Sequence, residues 1–265
     1  MAALTANKNC STKKIFLQNF SLLYFNCMEL LLLAIAPGFA ISLYIYAKDK
    51  HNREPAKYLI SCFIFGVLSA IPAIVIEMIG TRLSETYLQG ILPVALYIIF
   101  QAFIVVACTE EYCKYFVLKK YAYPKPAFDE PFDGIVYSVM VSMGFATIEN
   151  IGYVFDNGFS TGIVRMLVSV PAHAAFAVMM GYYAGLAKFN AVRKSQLLLK
   201  GFLLAVLFHG LFDGFLFLSD NDTITAEISG GLLVFGGLAS YYFAIRLSLK
   251  SIKLHSQLSA QMHKG

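Results

Sequence analysis

The chain has 265 residues, 58% hydrophobic and 14% charged, with a formal net charge of +5 and a mean hydropathy of +0.65. A soluble domain is about 45–50% apolar and about 25% charged, so the composition excludes one and points to a polytopic membrane protein without a separate soluble domain. The modest basic excess, gathered in short loops, suits anionic headgroups and the setting of topology, and no nucleic-acid partner is expected.

Residues 1–27 form an N-terminal extension in which Lys13 and Lys14 precede a mostly apolar stretch whose single charge is Glu29. The stretch runs on to Ala47, too long for one ordinary span of about 20 residues. An interfacial helix feeding the first span is the preferred expectation, with a mis-called start at Met28 the alternative. From there, seven apolar runs are long enough to cross a bilayer: 28–47, 58–80, 91–118, 132–154, 163–187, 200–218 and 227–248. The fold class expected is therefore an all-α transmembrane helix bundle of about seven spans, occupying residues 28–248. Residues 249–265 are expected to be a basic tail. Pro37, Pro72, Pro93 and Pro171 predict kinks, which neighbouring helices tolerate by re-pairing the freed backbone group.

The loops alternate in charge. Lys48, Lys50, Arg53 and Lys57 follow the first run, Lys119, Lys120 and Lys125 the third, and Lys188, Arg193, Lys194 and Lys200 the fifth, while Asp220 and Asp222 follow the sixth. Basic loops stay cytoplasmic, which predicts the N-terminus outside and the C-terminus inside. The five cysteines show no CxxC pair and no metal-finger spacing, so they are expected to act as small packing hydrophobes.

Against this apolar background the ionisable residues stand out, because each costs roughly 2.5–3.5 kcal/mol at bilayer depth even on lenient scales. Glu110 and Glu111 each share a helix face with Lys114, at i, i+4 and i, i+3. One lysine beside two glutamates can drive their proton affinities apart, as general-base chemistry requires; a cluster snorkelling at a helix end is the bland reading. Glu149, followed by Asn150, lies deep in a span with no basic residue within a helical turn and needs a partner from another helix. His173 is ten residues into its run. His209 and Asp213, at i, i+4, allow the carboxylate to fix the imidazole tautomer. If the chain turns within Asp156–Gly162, Glu149 and His173 differ in depth by only ~6 Å at ~1.5 Å per residue.

These residues resemble the signatures of the PrsW family, membrane proteases related to CAAX-processing and bacteriocin-processing enzymes. The motifs are Glu110-Glu111-x-x-Lys114; Asp133-Gly134 continuing to Gly144-Phe145-Ala146 and Glu149-Asn150; His173 followed by Gly181-Tyr182 and Gly185; and His209-x-x-x-Asp213. Ala36-Pro37-Gly38 and Glu54-Pro55 suit the family's opening. The resemblance implies an intramembrane endopeptidase of a bacterial cell membrane acting on a membrane-anchored protein, with the tandem glutamates and the histidines carrying hydrolysis.

On this reading Glu110 or Glu111 activates a water, His173 and His209 polarise the scissile carbonyl, Asp213 orients His209, and Glu149 and Asn150 complete the pocket. Lys114 tunes the glutamates. A second version places a divalent metal such as zinc on His173, His209 and either Glu149 or Asp213. No His-Glu-x-x-His is present, and the metal-free version is preferred. The competing function is a proton- or cation-coupled transporter, although no internal repeat supports it; a non-catalytic scaffold is the third reading.

Overall fold

A computed structural model describes residues 27–50 and 52–262. The expectation of an interfacial helix falls on residues outside that set. Among the described residues there are helices and no strands. They are α1 (Cys27–Lys48), α2 (Ala56–Tyr87), α3 (Val94–Ala122), α4 (Pro131–Leu167), α5 (Ser169–Lys188), α6 (Lys194–Ser219), the short α7 (Asp222–Thr225) and α8 (Gly230–Met262).

Six helical stretches are long and apolar enough to span a membrane, one of them the 58-residue stretch Pro131–Lys188 formed by α4 and α5. A straight helix of that length would reach ~87 Å, about three times the hydrocarbon core. It is instead a hairpin. The chain reverses at Gly158, whose φ of 81° lies in the left-handed region that glycine enters without a Cβ penalty. Beyond the reversal the chain packs antiparallel against the first limb: Arg165 meets Asn150 and Ser142 meets His173. A Cβ at Gly134 would collide with the backbone of Gly181 and Gly185, so the limbs touch main chain to main chain, as small residues permit in lipid. With the hairpin counted as two limbs, seven limbs are long enough to span, as befits an integral multi-pass membrane protein.

Local chemistry sets the ends of this hairpin. Pro131 occupies the first turn of α4, where its missing N–H costs nothing. Asp133 Oδ2 accepts from the backbone N–H of Glu130 at 2.7 Å and of Asp129 at 2.9 Å, half of a reciprocal capping box. The break at Val168 has its cause three residues on. Pro171 excludes the carbonyl four residues before it, and that carbonyl, of Leu167, accepts from the Tyr241 hydroxyl of α8 at 3.2 Å.

The first limb of α4 is buried from Pro131 to Thr147, making it the central helix. α5 is likewise buried along most of its length, whereas α1, α2, α3, α6 and α8 keep apolar faces outward, such as Ile71, Met78 and Leu83 of α2. The loops after α1, α3 and α5 converge at one end: Asn52 donates to Asp129, and Lys188 donates to the Tyr123 carbonyl at 2.7 Å. Residues 249–262, expected as a tail, continue α8 as helix. Their buried side chains Ser251, His255 and Ser259 fall at i, i+4, i+8 and face the start of α4, where His255 Nδ1 lies 2.9 Å from the Pro131 carbonyl and Ser259 Oγ accepts from Phe132 N–H.

Candidate active site

Seven of the eight candidate residues meet in one connected cluster, and Asn150 adjoins it through Arg165. In α3 a π-helical stretch, Gln101–Cys108, gives way to the α-helical turn that carries the glutamates. Glu110, Glu111 and Lys114 are all buried, at 5%, 0% and 2% exposure, so they do not snorkel. Lys114 Nζ donates to Glu110 Oε2 at 3.0 Å and Glu111 Oε1 at 2.8 Å, and lies 4.2 Å above the Phe145 ring.

The same ammonium approaches His173 Nδ1 at 3.1 Å. A protonated lysine only donates, so Nδ1 accepts and the ring proton belongs on Nε2. Nε2 faces Glu149 Oε2 at 2.9 Å, an ion-pair approach without hydrogen-bond alignment. His209 stands between two acids, with Glu111 Oε1 3.0 Å from Nδ1 and Asp213 Oδ2 3.0 Å from Nε2. A neutral imidazole can donate from only one nitrogen; satisfying both contacts takes one further proton, on the ring or on an acid. The two imidazoles lie 5.1 Å apart and nearly perpendicular, and Phe176 stacks on His209 at 5.0 Å. Ser142 Oγ donates to the His173 carbonyl, tying the histidine to the central helix.

Glu149 finds its partner across the hairpin. Arg165 Nη2 is 2.9 Å from Glu149 Oε1, and Arg165 Nε donates to Asn150 Oδ1 at 2.9 Å. Asn150 in turn donates to the Ala34 carbonyl of α1. Sequence reasoning missed Arg165. The signal was present, because it is the only lysine or arginine between Lys125 and Lys188, inside an apolar run. It also missed Glu77 of α2, a lone acid in such a run, which shares with Glu110, Glu149, His173, His209 and Asp213 the lining of a cavity of about 470 Å³. Asp156 also lines the cavity, two residues before the turn, so the cavity extends toward the end of the bundle opposite the basic loops.

Glu110, Glu111, His173 and His209 can each bring a ligand atom within 4.8 Å of the others. Glu111 Oε2 is buried without a hydrogen-bond partner, the kind of orphaned oxygen a cation satisfies. Two imidazoles and carboxylates are a donor set zinc accepts. Glu149 and Asp213, put forward from sequence as ligands, lie against the Nε2 atoms of His173 and His209, away from the Nδ1 atoms that Lys114 and Glu111 approach.

A family profile described as PrsW family intramembrane metalloprotease matches residues 54–245. A protein named Protease PrsW from Geobacillus kaustophilus (strain HTA426) is 41% identical over 181 residues, 68% of this chain and 76% of the relative. Its counterpart from Oceanobacillus iheyensis is 38% identical over 186 residues, 70% of this chain and 82% of the relative. The one from Bacillus subtilis (strain 168) is 36% identical over 180 residues, 68% and 78% respectively. No solved structure matches the chain.

Proposed function

This chain belongs to the PrsW family of intramembrane metalloproteases, and we propose that it hydrolyses a peptide bond in or near the membrane segment of a single-pass, membrane-anchored protein. The observation that carries this reading is the group of two glutamates and two histidines, buried at bilayer depth yet bordering a cavity. Ionisable groups so placed are costly unless function retains them.

Glu110 lines the cavity whereas Glu111 lies behind it, so Glu110 is the group to take the proton of the attacking water. Glu111 holds His209 and Lys114 from the rear. The Nε2–H of His173, loosely engaged with Glu149, is free to turn toward the oxygen of the scissile carbonyl as charge develops there. Asp213 orients the ring of His209. Glu111, His173 and His209 are the residues that would hold a divalent metal such as zinc. Such an ion supplies Lewis acidity and an acidified bound water. The basic loops face the cytoplasm of a bacterial cell, with the N-terminal side of α1 outside, and the cavity accordingly reaches toward the outer leaflet.

The test is a cleavage assay in vesicles against a panel of single-pass membrane proteins, using wild type and the Glu110→Ala, Glu111→Ala and His173→Ala variants. We expect wild type to cut a panel member and each variant to lose at least about a hundredfold in rate, the span of a general base or electrophile. Loss on chelation with recovery on added zinc would assign the metal. Undiminished cleavage by Glu110→Ala would refute its role as base. No cleavage at all, with cation-driven uptake into the vesicles, would turn the reading to a transporter.

A further inference from the structure

A peptide bond in a membrane helix cannot be attacked until the helix unwinds around it, and unwinding bares backbone N–H groups where no water can pair them. A protease working at this depth therefore needs a hydrogen-bonding wall as well as a reactive centre. In this cavity most polar side chains are already committed: Glu110 to Lys114, Glu149 to Arg165, and His209 to Glu111 and Asp213. Glu77 is not. It makes no hydrogen bond or ion pair among the described residues, and its Oε1 is buried without a partner.

The setting of Glu77 gives that oxygen a direction. It is the only charged residue between Lys57 and Arg82. α2 turns Ala70, Ile74 and Glu77 to the cavity, at i, i+4, i+7 and so on one face. Ile71, Val75 and Met78, on other faces of the helix, are 61%, 50% and 65% exposed, toward lipid. The first two turns of this cavity-facing stripe are apolar; the acid comes last. α2 thus offers a transmembrane segment an apolar surface ending in an unpaired hydrogen-bond acceptor beside the reactive group.

We propose that Glu77 is a substrate-binding residue whose carboxyl oxygen accepts a hydrogen bond from a backbone N–H of the substrate segment as it unwinds against α2. The proposal rests on the peptidase reading and adds to it the surface on which the substrate is opened. What the role requires is an oxygen acceptor at this place, with no need of a charge. Glutamine keeps the acceptor; leucine removes it and suits the apolar helix.

The experiment uses the full chain in phosphatidylethanolamine/phosphatidylglycerol vesicles, with the panel member that wild type cuts fastest as probe. We expect Glu77→Leu to raise KM about five- to tenfold, the worth of one hydrogen bond, with kcat within about twofold, because the contact persists from bound state to transition state. Glu77→Gln should stay within about twofold of wild type in both constants. Melting temperatures in detergent identify any variant that folds poorly, and Glu77→Ala replaces leucine if that occurs. Equal KM for leucine and wild type would overturn the proposal. So would a glutamine variant as impaired as leucine, since a cationic substrate group would then be what Glu77 reads. If wild type cuts no panel member, the peptidase reading itself fails, and this proposal with it.

Discussion

In the chamber, Glu110 and Glu111 share Lys114, Glu149 faces Arg165, and Asp213 faces His209. At the basic end, Glu54 and Asp133 are as buried as Glu110 and Glu111 but form no ion pair among the described residues. Glu54 meets the Tyr137 hydroxyl, and Asp133 meets backbone N–H groups. One region keeps carboxylates buried by setting cations beside them, the other by hydrogen bonds alone. With no cation beside it, burial outweighs the hydrogen bond from Tyr137 and pushes Glu54, in the loop before α2, up to about 7 from an ordinary 4.5. The chamber sets a basic side chain beside each of these carboxyls where chemistry can use the pair, and Glu54 and Asp133 do without one.

That contrast can be broken first at Lys114. Lys114→Met leaves two buried acids and a histidine without their shared cation. It should cost about 3–5 kcal/mol of stability, the penalty for removing one partner of a buried pair, together with cleavage. A melting temperature near wild type in detergent would show that the acids do not depend on it. A smaller loss, about 3 kcal/mol, is expected of Arg165→Leu, because its pair with Glu149 is partly exposed. Adding Glu149→Gln should restore much of that loss, and strictly additive losses in the double-mutant cycle would deny the coupling.

The smallest effect belongs to Glu54. Its folded carboxyl binds a proton more tightly than the unfolded one, so its contribution is fully present below about pH 4.5 and is lost as pH rises to about 7. The loss is at most about 3 kcal/mol. Melting temperature should fall across that window in wild type and flatten in Glu54→Gln; parallel curves would remove Glu54 as the cause.

Much of this architecture was legible in the residues. Hydropathy located the crossing limbs, since the side chains that face lipid must be apolar. Counting from a turn within Asp156–Gly162 brought Glu149 and His173 to similar depth, and the turn is at Gly158. Arg165 escaped because its partner is distant in sequence and close only once the limbs are zipped. The π-helical stretch at Gln101–Cys108 has no signature, being an ordinary apolar run. Residues 249–262 looked like a tail because Lys250 and Lys253 advertise solvent, while the small side chains that dock the other face carry little hydropathy of either sign.

The docking of that last helix bears on the order of assembly. Pro131 and Phe132, where the central hairpin begins, are pinned by His255 and Ser259, which leave the ribosome more than a hundred residues after them. Every limb that lines the cavity has been synthesised before its anchor arrives. Insertion can therefore proceed with a loose hairpin, and the finished geometry waits on the closing clasp.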